Sequence, residues 1–94
     1  MNDQSATLPD SSIPTLANGF RFQYEEAQKS FVLLYPEGMK VLSESAAEIV
    51  QQCDGVQSVG QVISALEQKF PGVDLRADVI EFIASAAAEG WINV

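Results

Sequence analysis

Ser30-Phe31-Val32-Leu33-Leu34-Tyr35-Pro36-Glu37-Gly38-Met39-Lys40-Val41-Leu42-Ser43 decides the fold. Ser30–Tyr35 is β-branched and aromatic enough to form a strand buried on both faces. Pro36 lacks an N–H donor and Gly38 tolerates unusual backbone angles, so the chain turns at Pro36-Glu37-Gly38. Met39-Lys40-Val41-Leu42 then extends again as a short edge strand, and Ser43 is a good helix N-cap. Upstream, Phe20, Phe22 and Tyr24 alternate with Arg21, Gln23 and Glu25, the period-two pattern of a half-buried strand. Glu26-Ala27-Gln28 joins it to Ser30, which gives a hairpin and hence a three-stranded antiparallel sheet.

Three helices follow. Ala46, Ile49, Val50 and Cys53 recur at helical spacing behind Ser43, and Gly55 supplies the stop. Ser58 caps a second helix whose stripe is Val59, Val62, Ile63, Leu66 and Phe70, ended by Pro71-Gly72. Asp74 caps a third that runs from Leu75 to Glu89 and stops at Gly90, leaving Trp91 and Ile92 to plug the side of the core. Three strands and then three helices predict a small α+β domain of the winged helix-turn-helix kind over residues 19–94. Residues 1–18 are rich in Ser, Thr, Asp, Asn and Pro and read as a flexible arm. Ile13-Pro14-Thr15-Leu16 gives that arm the means to dock on its own or a neighbouring domain, and its exchange between protomers would make a homodimer.

Composition removes most chemistry. The 94 residues contain no histidine and one cysteine, and 13 acidic against 5 basic residues leave a net charge of -8. Such a field repels nucleic acid, and a lone Cys53 without histidine has nothing to generate a thiolate. Glu44 and Glu48 stand one turn apart but read as solvated carboxylates near a helix N-terminus. The glycines follow no phosphate-cradling spacing, so neither a cofactor nor a metal is expected, and catalytic residues are none. The start of the chain has no signal-peptide or membrane-spanning pattern, which predicts a cytoplasmic address.

The apolar pattern of the third helix exceeds what a core needs. Its arc is roughly 240° wide where a core-facing helix uses about 100°. With Val79 and Phe82 turned to the core, Ile80, Ala84 and Ala87, flanked by Ile83, form a second strip of the kind that lines a groove. Edge strand Met39, Lys40, Val41 and Leu42 offers unpaired N–H and C=O groups to an incoming peptide strand. Lys40 serves equally well as a guard against edge-to-edge aggregation or as a partner contact.

Leu33-Leu34-Tyr35-Pro36-Glu37-Gly38, Ser45-Ala46-Ala47-Glu48-Ile49, Cys53-Asp54-Gly55 and Gly90-Trp91-Ile92 together resemble the pyrroloquinoline quinone (PQQ) biosynthesis protein D family, PqqD. The resemblance runs from about Pro14 to Trp91, and the longer polar start lies outside the family pattern. It implies a non-catalytic peptide chaperone that binds a ribosomally made precursor peptide and presents it to a radical SAM enzyme. That enzyme cross-links a Glu and a Tyr of the peptide. Related recognition domains take the leader as an added strand on the third strand, with its apolar side chains against the last helix. Two other classes remain open at this stage: a winged-helix DNA-binding regulator and a structural dimerising subunit of a larger enzyme.

Overall fold

The computed structural model describes residues 8–94. Strands β2 (Arg21–Glu25), β3 (Ser30–Tyr35) and β4 (Gly38–Val41) form an antiparallel sheet in that order. Phe22 faces Leu33 across the first pair, and Leu33 faces Lys40 across the second. Successive strand residues point to opposite faces. Val32 and Leu33 are both 0 % exposed, so β3 is buried on both faces as its sequence predicts. Leu33, Phe22, Phe31 and Tyr24 share the inner face, where Phe22 and Phe31 stack at 4.8 Å and Tyr24 meets Phe31 edge-on at 5.3 Å. The edge strand starts one residue earlier than expected, at Gly38. Leu42 lies past its end but still donates its N–H to the Phe31 carbonyl at 3.0 Å.

Helices α1 (Glu44–Gln52) and α3 (Arg76–Glu89) meet the inner face, and α2 (Val59–Lys69) packs on both of them. The Ser43 hydroxyl accepts from the Ala46 N–H at 3.1 Å, so this cap starts α1. Ser58 and Gln61 satisfy each other's backbone donors in a capping box at the start of α2. Asp74 does not cap α3. That position belongs to Leu75, whose N–H is held by the Glu67 carboxylate at 2.9 Å, while Asp74 accepts weakly from the Arg76 N–H at 3.3 Å. Gly90 ends the helix at φ 89°, and the Trp91 N–H returns to the Ala86 carbonyl at 2.9 Å. One core joins the helices through Val59, Val62, Leu66, Val79 and Ile83; a second joins sheet to α1 through Leu33, Leu42, Ala47 and Val50. Phe70, expected on the stripe of α2, lies just past the helix and is 40 % exposed.

The segment before residue 19 is where composition misleads. From Leu8 onward it is a strap laid on the domain. Its strand β1 (Thr15–Leu16) pairs antiparallel with β5 (Ile92–Asn93), the C-terminal tail. Pro14 is fully buried, and Leu8 and Leu16 pack on the helical core. Carbonyls of Asp10, Ser12 and Pro14 accept from the N–H groups of Gly60, Val59 and Gly55 at 3.0, 2.7 and 3.0 Å. Asp10 closes a two-pronged ion pair with Arg76 at 2.8 and 2.9 Å. Hydrophobicity counts miss this because backbone pairing holds the strap as much as side-chain burial does. The first seven positions of the expected arm lie outside the described residues.

Candidate functional site

Hydrogen-bond parity decides which backbone groups of β4 are free. In an antiparallel pair, residues alternate between those that exchange bonds with the neighbour and those that face away. Leu42 bonds inward to Phe31, and the register is Leu33 with Lys40 and Leu34 with Met39. Lys40 therefore bonds inward too, and the N–H and C=O groups of Met39 and Val41 face the open edge. Every residue of β4 is exposed, Met39 by 40 % and Val41 by 50 %. Both side chains lie on the outer face with Val32, opposite the face that carries Leu33.

Beneath this edge lies an apolar floor that joins sheet to helix. The Lys40 side chain is on the inner face, and its ammonium sits 4.9 Å from the centroid of the Trp91 ring. Trp91 in turn meets Phe82 edge-on at 6.4 Å. Both aromatics are half-buried and touch the core that contains Leu42. A strand added beside Met39 and Val41 would have one set of side chains over Phe82 and Trp91 and the other beside Met39 and Val41.

The other residues expected to line the groove fall elsewhere. Ile83 is 0 % exposed and belongs wholly to the helical core. Ile80, Ala84 and Ala87 are half-buried, but at about 100° per residue they lie roughly 140–160° around α3 from Phe82. Arg76, on their side of the helix, holds Asp10 of the strap. The structure thus brings Lys40 and Leu42 together with Trp91 and Phe82, not with the Ile80 strip, while Met39 and Val41 carry their side chains on the outer face. The signal for Phe82 was its size: an aromatic at the rim of an apolar arc spans core and surface at once.

Past Leu42 the floor opens into a cleft of about 1230 Å³ between the β2–β3 hairpin end, α1 and α3, lined by Phe31, Leu42, Ala46, Val79 and Phe82 among others. Cys53 is buried with its Sγ–H on the Ile49 carbonyl at 3.3 Å, and burial pushes its thiol pKa up to about 12. It is a small hydrophobe here. Among the described residues no three His, Cys, Asp or Glu side chains gather to hold a metal ion, and no helix is long and apolar enough to cross a membrane.

Sheet, helices and strap define a winged-helix-like α+β fold in which β4 is an edge strand of the sheet. A family model described as "Coenzyme PQQ synthesis protein D (PqqD)" matches residues 30–92. The "PqqA binding protein" of Azotobacter vinelandii is 48% identical over 89 residues, covering 94% of this chain and 95% of that one. "PqqA binding protein 1" of Pseudomonas putida is 53% identical over 83 residues, covering 87% and 91%. This chain belongs to the PqqD family. The fold is shared with the solution structure of the PqqD part of Methylobacterium extorquens PqqCD, described as a stand-alone recognition element for ribosomally synthesized, modified peptides. The TM-score is 0.77 at 24% identity, over 98% of this chain and 100% of that one.

Proposed function

We propose that this chain is a non-catalytic peptide chaperone of PQQ biosynthesis, which binds the precursor peptide PqqA and presents it to the radical SAM enzyme that cross-links its Glu and Tyr. The observation that carries this reading is the open β4 edge, with the outward N–H and C=O groups of Met39 and Val41 above the Phe82–Trp91 floor. An added strand gains affinity from main-chain hydrogen bonds and specificity from alternate side chains, so the site needs no catalytic group. The peptide is the only substrate in this scheme, and the iron–sulfur chemistry resides in the partner enzyme. A homodimer formed by exchange of the strap would draw the contacts of Leu8–Ala17 from a second copy and leave the edge open. The field of a chain with net charge -8 argues against the DNA-regulator reading.

Calorimetric titration with PqqA peptide tests the proposal. Wild type should bind, and Val41→Pro, which removes one outward donor, should weaken binding by about tenfold or more, since one lost hydrogen bond is worth ~0.5–1.5 kcal/mol and the ring also crowds the added strand. Formation of the cross-linked peptide by the radical SAM enzyme should rise when the chain is added. Unchanged affinity in a folded Val41→Pro variant would remove the edge from the mechanism.

A further inference from the structure

We propose that the strap is a positioning element of the peptide site: docking of residues 8–17 fixes Trp91 beneath the β4 edge, so that strap docking and peptide binding strengthen each other across the domain. This rests on the peptide-binding reading above and adds the segment that sets its affinity.

Main-chain bonds run continuously from one end of the strap to the floor of the site. At the far end, the Asp10 and Ser12 carbonyls accept from the N–H groups of Gly60 and Val59, the first two residues of α2, and Pro14 accepts from Gly55. The first N–H groups of a helix have no partner within it, so the strap completes the start of α2. At the near end, Thr15 and Leu16 pair with Asn93 and Ile92, and the Ala17 N–H donates to the Trp91 carbonyl at 2.7 Å. On its other side the Trp91 N–H is held by the Ala86 carbonyl of α3 at 2.9 Å. The main chain of Trp91 is thus clamped between strap and helix, and from that clamp its ring reaches Phe82 at 6.4 Å and the Lys40 ammonium at 4.9 Å. Among the described residues β5 has no strand neighbour other than β1. Lifting the strap therefore strips one side of the clamp and leaves Trp91 at the end of a short tail behind Gly90.

A segment held by a few backbone bonds, one buried proline and an exposed ion pair opens at lower free energy than the whole domain. If the peptide needs the docked form, its apparent affinity falls with the docked fraction. By reciprocity, bound peptide must raise that fraction.

Gly60 allows the strap to be lifted without touching the site. The three atoms nearest to a Cβ placed there all belong to Asp10, at 3.3–3.6 Å, so Gly60→Leu displaces the far anchor while giving α2 a better helix former. Amide exchange at Gly55 and Val59, whose N–H groups bond to the strap, reports docking. In Gly60→Leu these amides should exchange faster, the Trp91 indole resonance should shift, and PqqA peptide should bind about fivefold or more weakly by calorimetry, well below the melting transition. Leu16→Ala, which withdraws the strap's apolar contact with both cores, should act in the same sense. In wild type, saturating PqqA peptide should slow exchange at Gly55, Val59 and Ala17. This arm needs no variant, so it decides the proposal even where a substituted chain fails to fold or keeps its strap docked. Val41→Pro should weaken peptide binding and leave exchange at Gly55 and Val59 of the free protein as in wild type, which tells loss of the edge from loss of the strap. Wild type that binds peptide with no slowing at Gly55 and Val59 overturns the proposal and leaves the edge reading standing. So does a Gly60→Leu variant whose strap is open and whose affinity is that of wild type. A wild type that binds no PqqA peptide overturns both readings together.

Discussion

Lys40 holds its ammonium 4.9 Å from the centroid of the Trp91 ring, so the edge strand and the C-terminal tail are joined by a cation–π contact directly beneath the open edge. The lysine that reads as a guard or a partner contact is a structural member of the floor. Its ring partner is tied on by the strap as well, because the Ala17 N–H donates to the Trp91 carbonyl at 2.7 Å.

Trp91→Ala removes this keystone from both cores. Full truncation of a buried Trp costs ~3–5 kcal/mol, and a half-buried one loses less, so we expect about 2–4 kcal/mol and a clear fall in melting temperature. Trp91→Phe should recover part of that. A melting temperature unchanged in Trp91→Ala would mean that the ring carries nothing.

The strap has a pH signature. The hydrogen-bonded Arg76 guanidinium lowers the Asp10 carboxyl below its ordinary 3.8 and is itself held protonated by it. A carboxylate with a lowered folded pKa contributes stability above its unfolded pKa and loses it as pH falls through the folded value. Wild type should therefore exceed Asp10→Asn in melting temperature at pH 7, by a small margin because the pair is exposed, and the gap should begin to shrink at about pH 4 and close as pH falls through the lowered folded pKa. A gap that grew in acid would contradict the ion pair.

Cys53 should resist alkylation. At pH 9, near its ordinary pKa of 9.0, an unfolded thiol is about half ionised, whereas the folded one, raised to about 12, is ionised to on the order of a thousandth. Reaction with iodoacetamide should then follow unfolding, and stability should fall as pH rises above 9, since only the unfolded chain gives up the proton. Rapid labelling of the native protein would place the thiol at the surface.

How much of this was legible in the sequence differs by element. The sheet, α1 and α2 could be read because alternation at Phe20–Glu25, the turn at Pro36–Gly38 and the Ser43 and Ser58 caps each act through neighbours in the chain. The strap was legible only as an arm able to dock through Ile13-Pro14-Thr15-Leu16; its partners were not, since Thr15 and Leu16 pair with Asn93 and Ile92 at the far end of the chain. The edge strand was equally readable. The face of α3 that lies beside it was not: the wide apolar arc of α3 contains both Phe82 and Ile80, and only the position of Trp91 decides which side meets β4. Periodicity fixes the spacing around a helix and leaves its rotation open.

Amide hydrogen exchange along β4, with and without PqqA peptide, tests the central claim most directly. In the free protein the N–H groups of Lys40 and Leu42 should be protected by β3, while those of Met39 and Val41 exchange freely. Saturating peptide should protect Met39 and Val41 and shift the Trp91 indole resonance, leaving Lys40 and Leu42 little changed. Met39 and Val41 amides that exchange as freely with bound peptide as without it would contradict strand addition at this edge.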